Sequence, residues 1–97
     1  MRVHWTDRAK TRLRLIYDHI AKDAPLVASQ VVERLLQRSI QISDLPSSGR
    51  VAPEYQREDV RELLERPYRI IYRILPDRID IITVMHYRQL LPSDLKD

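Results

Sequence analysis

The spacing of apolar residues predicts a short strand followed by a helix at the start of the chain. Apolar and polar side chains alternate at residues 2–5, as in a strand at the edge of a sheet. Thr6 or Asp7 can then cap the free amide groups of a helix that runs to about residue 22. The apolar residues of this segment recur at the interval of one helical face: Ala9, Leu13, Ile16, Tyr17 and Ile20.

A second helix is predicted from Pro25 to about Ser43. Its apolar stripe consists of Ala28, Val31, Val32, Leu35, Leu36 and Ile42. Because the break around Ala24 is short, the two helices should form an antiparallel hairpin. Each helix is amphipathic, so the two apolar faces need a further layer of structure to cover them.

Three runs rich in β-branched and aromatic residues follow, and they predict a sheet. They span residues 60–65, 68–75 and 79–87, after a loop at 46–59 that contains the single glycine and carries Arg50 and Arg57. Pro76 and Asp77 mark a tight turn, so the last two strands form a hairpin. The predicted fold class is α+β, with one domain over residues 1–97 in the order strand, helix, helix, strand, strand, strand.

The turn at residues 76–77 decides which side chains of the hairpin share a face. In an antiparallel register Leu75 faces Arg78, and the pairs that follow are Arg73 with Asp80, Ile71 with Ile82 and Arg69 with Val84. Alternation then assigns the core face to Tyr68, Ile70, Tyr72, Ile74, Ile79, Ile81, Thr83 and Met85. The opposite face collects Arg69, Ile71, Arg73, Asp80, Ile82, Val84, His86 and, if the strand continues, Arg88.

This second face mixes cationic and apolar side chains, which predicts a shielded groove that prefers anions. Arg73 and Asp80 are expected to form a cross-strand ion pair, whereas Arg69 has no acidic partner in this register. His86, beside the arginines, is available for proton transfer or for a hydrogen bond to phosphate, although a single histidine is more often structural.

Composition adds a bias towards arginine, which supplies 14 of the 17 basic residues because only Lys10, Lys22 and Lys96 are lysines. Arginine suits bidentate contacts with phosphate or carboxylate, and the bias fits a GC-rich genome equally well. Without cysteine, with one glycine and with no metal-ligand spacing, the sequence predicts no cofactor and no metal. It also has no segment of membrane-spanning length and no apolar run at its start, which predicts a cytoplasmic protein.

Four sequence segments together resemble the RelE/ParE superfamily of toxins from type II toxin–antitoxin systems. They are GRVAPE at residues 49–54, VREL at 60–63, YRIIYR at 68–73 and VMHYRQLLP at 84–92. The resemblance covers almost the whole chain and implies a helical hairpin packed on an antiparallel sheet. It also implies one of two targets: ParE-like toxins, which include plasmid stabilisation proteins, poison DNA gyrase, and RelE-like toxins cleave mRNA in the ribosomal A site.

For a RelE-like nuclease, the resemblance implies that Arg69 and Arg88 act on the scissile phosphate, with His86 as a third catalytic candidate. The lysines of those enzymes are replaced here by Val60 and Glu62, and the tyrosine after the last arginine by leucine and proline. A branch of RNA-cleaving relatives uses glutamate, arginine, histidine and tyrosine, which here correspond to Glu54, Arg69, His86 and Tyr87 with a shift of one residue in the last pair. By strand parity His86 would face the groove and Tyr87 would face away.

These departures favour the ParE-like alternative, a non-enzymatic gyrase poison, over a metal-independent endoribonuclease. A third possibility, a plain RNA-binding or structural domain, stays open because the positive charge is mild. The candidate target-binding residues are Arg50, Arg61, Arg69, Arg73, His86, Tyr87 and Arg88. The resemblance further implies a cognate antitoxin with a DNA-binding domain and a helical tail, for which Arg12, Leu15 and His19 on the first helix are the candidate contacts.

Overall fold

The computed structural model describes residues 1–87, in which two helices pack on one face of a five-stranded sheet. The elements are β1 (Arg2–Trp5), α1 (Asp7–Ala21), α2 (Pro25–Asp44), a 3-10 turn (Pro46–Ser48), β2 (Arg50–Val51), β3 (Val60–Glu65), β4 (Tyr68–Ile74) and β5 (Arg78–His86). The α+β class and the predicted order of elements are confirmed. The exception is β2, which lies in the segment predicted to be a loop.

The strands are arranged in the order β1-β5-β4-β3-β2. Strands β2 to β5 form an antiparallel meander, and β1 adds to the edge in parallel to β5, with Val3 opposite Ile79. Strand β2 pairs Arg50 with Glu62 over only two residues, too few for alternation to be recognised in the sequence. The short strand nevertheless matters, because it begins the loop that covers one end of the sheet.

Both helices begin where the sequence predicts, and Thr6 shows why. Its hydroxyl oxygen accepts a hydrogen bond from the Ala9 amide at 3.2 Å, which caps α1. The same hydroxyl donates to the carbonyl oxygen of Ile81 at 2.7 Å, so the cap also ties the helix to β5. Pro25 occupies the first turn of α2, where its missing N–H costs nothing. No helix within residues 1–87 is both long and apolar enough to cross a bilayer.

The main core lies between the helices and the sheet. Its buried residues are Ala9, Val31, Leu35, Ile42, Leu63, Ile70, Tyr72, Ile79, Ile81 and Val84. Two residues of the predicted helical stripes are more exposed than expected: Tyr17 is 37% exposed and Leu36 is 41% exposed. They line an open apolar groove between α1 and α2 together with Trp5. The apolar stripes predicted for the two helices are therefore wider than the helix surface that packs on the sheet.

The predicted register of the hairpin is wrong beyond one point, because β5 contains a bulge. Arg73 faces Asp80 as predicted, but Tyr72 faces Ile81 and Ile71 faces Thr83, which leaves Ile82 as an extra residue. Val84 therefore belongs to the core beneath the helices, and Arg69 faces Met85 instead of Val84. A shift of one residue reverses the direction of every later side chain on the strand.

The second face of the sheet is covered by the loop at residues 52–59. A small second core forms there from Ala52, Val60, Ile71, Ile82 and Met85, with Tyr55 packed against it. Met85 was predicted on the helix side and packs in this second cluster because of the bulge. The face that the sequence predicts as a shielded, anion-preferring groove is thus partly filled by apolar packing.

Candidate functional site

Arg69 is the centre of the most densely paired group of charges in the described chain. It lies in the middle of the sheet on β4 and is only 5% exposed. Its Nε donates to Oε1 of Glu62 at 2.7 Å, and its two terminal nitrogens donate to both carboxylate oxygens of Glu54 at 2.8 and 2.9 Å. The prediction that Arg69 has no acidic partner is wrong, because the partners come from β3 and from the covering loop.

The two carboxylates that hold Arg69 are in different environments. The Glu62 side chain is 1% exposed and also accepts a hydrogen bond from Nε of Arg50 at 2.5 Å. The Glu54 side chain is 32% exposed and forms the outer layer of the cluster. The hydrogen bonds from Arg69 lower the pKa of Glu54, and those from Glu54 and Glu62 raise the pKa of Arg69. Glu54 and Arg69 therefore both stay charged at neutral pH.

A cavity of about 490 Å³ opens over this cluster and is called the arginine cavity below. Its lining consists of Arg50, Pro53, Glu54, Glu62, Leu64, Arg66, Arg69 and Tyr87. Three guanidinium groups face two carboxylates, so the lining carries an excess of one positive charge. Within residues 1–87 this lining contains no imidazole, so it holds no group that ordinarily titrates near neutral pH.

The edge of the arginine cavity is fixed by a close contact between Gly49 and Tyr72. The Gly49 amide donates to the Tyr72 hydroxyl at 2.9 Å, and that hydroxyl donates to the carbonyl of Pro46 at 2.6 Å. Burial raises the pKa of Tyr72. Arg61, a predicted target-binding residue, donates to the Gly49 carbonyl at 3.1 Å and is paired with Glu58. These bonds set the position of β2, and hence of Arg50.

The predicted ion pair between Arg73 and Asp80 is also wrong, although the two residues are opposite each other. Arg73 reaches instead to Asp59 in the covering loop, at 3.3 Å. Asp80 pairs with Arg78 at 2.8 Å and lies 3.2 Å from Nδ1 of His4. Arg73 thus pairs with a residue of the covering loop and Asp80 with its near neighbour Arg78, so the cross-strand pair suggested by the register does not form.

The bulge places His86 and Tyr87 on the opposite sides from those predicted. His86 faces Tyr68 and lies with its ring edge against it, on the side of α1. Tyr87 lines the arginine cavity and stacks on His86 with ring centroids 5.1 Å apart. The prediction of His86 beside the arginines is therefore corrected, and so is the prediction that Tyr87 faces away from them.

His86 instead borders a second cavity of about 400 Å³, called the α1 cleft below. Its lining consists of Arg12, Leu15, Ile16, His19, Tyr68, Val84, Met85 and His86. The three residues predicted to bind an antitoxin, Arg12, Leu15 and His19, thus share one surface. That lining contains basic and apolar side chains and no carboxylate among the described residues.

The structure brings together only part of the predicted target-binding set. Arg50, Arg69 and Tyr87 share the arginine cavity, and Arg88 lies outside the described residues. The role of Glu62 as the buried partner of Arg69 was missed. A signal existed, because Glu62 alternates with Val60 and Leu64 on one face of β3, where a buried carboxylate needs a partner.

A helical hairpin packed on a five-stranded mixed sheet is the fold that this chain shares with solved ParE and RelE toxins. The family model of the ParE toxin of the type II toxin–antitoxin system parDE matches residues 3–91, and the chain belongs to this family. It is 40% identical over 96 residues to the protein named Putative toxin Y4kP of Sinorhizobium fredii, covering 97% of this chain and 96% of that protein.

Two solved structures share the fold. The first belongs to the chromosomal ParDE toxin–antitoxin system of P. aeruginosa, with a TM-score of 0.75 and 27% identity over 89% of this chain and 95% of that chain. The second belongs to the toxin–antitoxin complex RelBE2 of Mycobacterium tuberculosis, with a TM-score of 0.57 and 24% identity over 88% of this chain and 95% of that chain. The second similarity shows the fold alone.

Proposed function

We propose that this ParE-family toxin inhibits bacterial growth by binding DNA gyrase and stalling it on cleaved DNA, without catalytic activity of its own. The observation that carries the proposal is the pairing of Arg69. Its guanidinium is buried and hydrogen-bonded to both Glu54 and Glu62, so it is not available to a scissile phosphate while Glu54 is in place.

The remaining nuclease candidates do not complete a catalytic site in the described residues. His86 borders the α1 cleft, whereas Arg69 lines the arginine cavity on the other face of the sheet. Val60 and Glu62, which replace the lysines of RelE-like nucleases, are both buried. General acid–base catalysis requires a proton donor or acceptor within hydrogen-bonding distance of the reacting atoms. This separation supports a role in protein binding.

The test is to induce the toxin without its antitoxin and to follow two responses in the same culture. Gyrase poisoning predicts filamentation and an SOS response while translation continues. Rapid translation arrest, with mRNA cut in the A site as seen by primer extension, would instead favour the RelE-like alternative. His86→Ala is the informative variant, because a nuclease that depends on His86 loses toxicity and a gyrase poison that binds elsewhere keeps it.

The nuclease alternative has one observation in its favour. Glu54, Arg69 and Tyr87, three residues of the glutamate, arginine, histidine and tyrosine set, line the same cavity. If His86→Ala and Glu54→Gln both abolished mRNA cleavage in cells, the protein would be assigned to the RNA-cleaving branch. The gyrase proposal would then fail.

A cognate antitoxin is the second part of the proposal. The neighbouring solved structures belong to toxin–antitoxin systems, and this chain has an open apolar groove beside Trp5, Tyr17 and Leu36. The α1 cleft adds basic groups, which suit an acidic antitoxin tail. Co-expression with the cognate antitoxin should restore growth and yield a stable complex. Growth arrest that persists would contradict the pairing.

A further inference from the structure

Glu54 occupies the outer side of Arg69 in the way a bound phosphate would. Its two carboxylate oxygens accept one hydrogen bond each from the two terminal nitrogens of Arg69, at 2.8 and 2.9 Å. This paired geometry is the one in which a guanidinium also binds two phosphate oxygens. Glu62 holds the inner side of the same guanidinium from a fully buried position.

The surroundings of Glu54 carry more positive charge than the carboxylates neutralise. Arg50 and Arg66 line the same cavity, and the Arg50 side chain is 67% exposed although its Nε is bonded to Glu62. With Glu54 in place the lining has an excess of one positive charge, and without it the excess is two. A phosphate group placed where the Glu54 carboxylate lies would therefore meet Arg69, and Arg50 and Arg66 line the same cavity.

Glu54 is the replaceable member of the cluster. It is carried by the covering loop and is 32% exposed, whereas the Glu62 side chain is 1% exposed. We propose that Glu54 is an internal competitor that keeps a phosphate-binding site at Arg69, Arg50 and Arg66 closed in the free protein. A tethered carboxylate acts at a high effective concentration, so a single free phosphate displaces it poorly and a nucleic-acid backbone with several phosphates displaces it better.

The proposal goes beyond the gyrase proposal, because it concerns what happens at Arg69 when Glu54 is displaced, and it is tested by binding to the isolated protein without gyrase. Its test is Glu54→Gln, which removes the negative charge and keeps a side chain of the same size. The matched control is Asp59→Asn, which changes the net charge equally in the same loop, at a carboxylate paired with Arg57 and Arg73. Binding is measured by fluorescence anisotropy with a labelled single-stranded DNA of about 12 nucleotides at low salt.

We expect Glu54→Gln to bind the oligonucleotide about tenfold more tightly than the wild type, and Asp59→Asn to stay within about twofold. A second arm replaces chloride by about 20 mM inorganic phosphate at equal ionic strength and records the Tm. A rise in the Tm of Glu54→Gln alone shows that free phosphate suffices. Tighter oligonucleotide binding without that rise assigns the site to a nucleic-acid backbone.

Equal gains in oligonucleotide affinity for Glu54→Gln and Asp59→Asn would overturn the proposal, because the change in net charge would then explain both gains. No gain in a folded Glu54→Gln protein would overturn it as well. If Glu54→Gln does not fold, Glu54→Asp serves instead, since it keeps the charge and shortens the reach to Arg69. Its oligonucleotide affinity should lie between those of the wild type and the expected Glu54→Gln value, and an affinity equal to that of the wild type would contradict the competitor role.

Discussion

The arginine cavity and the α1 cleft use the same residue type in opposite ways. In the cavity, Arg69 is buried and bonded to two carboxylates. In the cleft, Arg12 is exposed on α1, and the lining that it shares with His19 and His86 has no carboxylate among the described residues. The cavity is paired internally, whereas the described lining of the cleft offers basic groups without a carboxylate among them.

This difference shows that a cluster of arginines in the sequence does not by itself mark a binding surface. Burial of a guanidinium costs desolvation energy, which hydrogen bonds to internal carboxylates offset. Such a group stabilises one arrangement of the fold. An exposed guanidinium without such partners contributes little to stability and remains available for recognition. We therefore expect removal of the buried Arg69 to change stability, and mutations in the cleft to change antitoxin binding.

The largest effect is expected for Arg69→Met, with Arg12→Met as its control. Removal of Arg69 leaves Glu62 buried with only Arg50 as a partner, and breaking a buried ion pair in this way costs about 3–5 kcal/mol. Arg12→Met should change the free energy of unfolding by less than about 0.5 kcal/mol. Urea denaturation measures both, and similar losses for the two variants would abolish the distinction between the two surfaces.

The next effect is expected at Gly49, which supports the edge of the arginine cavity. A Cβ atom there would lie 2.5 Å from the Glu62 carbonyl oxygen and 2.6 Å from the Tyr72 hydroxyl. Gly49→Ala should destabilise the protein by about 2 kcal/mol, because the backbone of β3 must shift. The neighbouring Ser47→Ala, on an exposed turn, is the control. Equal midpoints in denaturant for the two variants would show that the contact is not tight.

A smaller effect, on affinity, is expected in the α1 cleft. Arg12→Glu reverses a charge that faces the proposed acidic tail, so the Kd for the antitoxin should rise about tenfold. Arg66→Glu makes the same change in the arginine cavity and should leave this Kd within about twofold. Isothermal titration calorimetry on the two variants checks the result. A larger effect for Arg66→Glu would move the antitoxin site to the other face.

The smallest effect is a dependence of stability on pH that is caused by the titration of Glu54. The hydrogen bonds from Arg69 lower the pKa of Glu54 in the folded protein. The contribution of Glu54 to the free energy of unfolding is therefore complete above the ordinary carboxyl pKa, and it disappears as the pH falls through the lowered value. The wild type should lose stability below about pH 5, and Glu54→Gln should lose less over the same range. Parallel curves of Tm against pH would exclude a contribution from Glu54.

The sequence predicts the helices and the long strands well because their periodic patterns are strong. Thr6 and Pro25 mark the helix starts, and the β-branched runs mark β3, β4 and β5. The bulge at Ile82 could not be predicted, because β5 is apolar on both faces and its alternation carries no sign of an extra residue. The directions of Val84, His86 and Tyr87 all depend on that one residue.

The candidate site was predicted only in part, for a related reason. Alternation along β4 identifies Arg69 as facing away from the helices, but its partners depend on contacts made across the sheet and by a loop. Glu62 comes from the neighbouring strand and Glu54 from a segment with no periodic pattern. The grouping of Arg12, Leu15 and His19 was predictable because a helix places such spacings on one face.

Gyrase poisoning is tested most directly by assaying purified gyrase in the presence of the purified toxin. Supercoiling of relaxed plasmid should be inhibited, and cleaved DNA should accumulate on gyrase. His86→Ala should inhibit to the same extent, since His86 borders the cleft and not the arginine cavity. Full supercoiling activity at a toxin concentration that stops translation and cuts mRNA in a purified system would contradict the account.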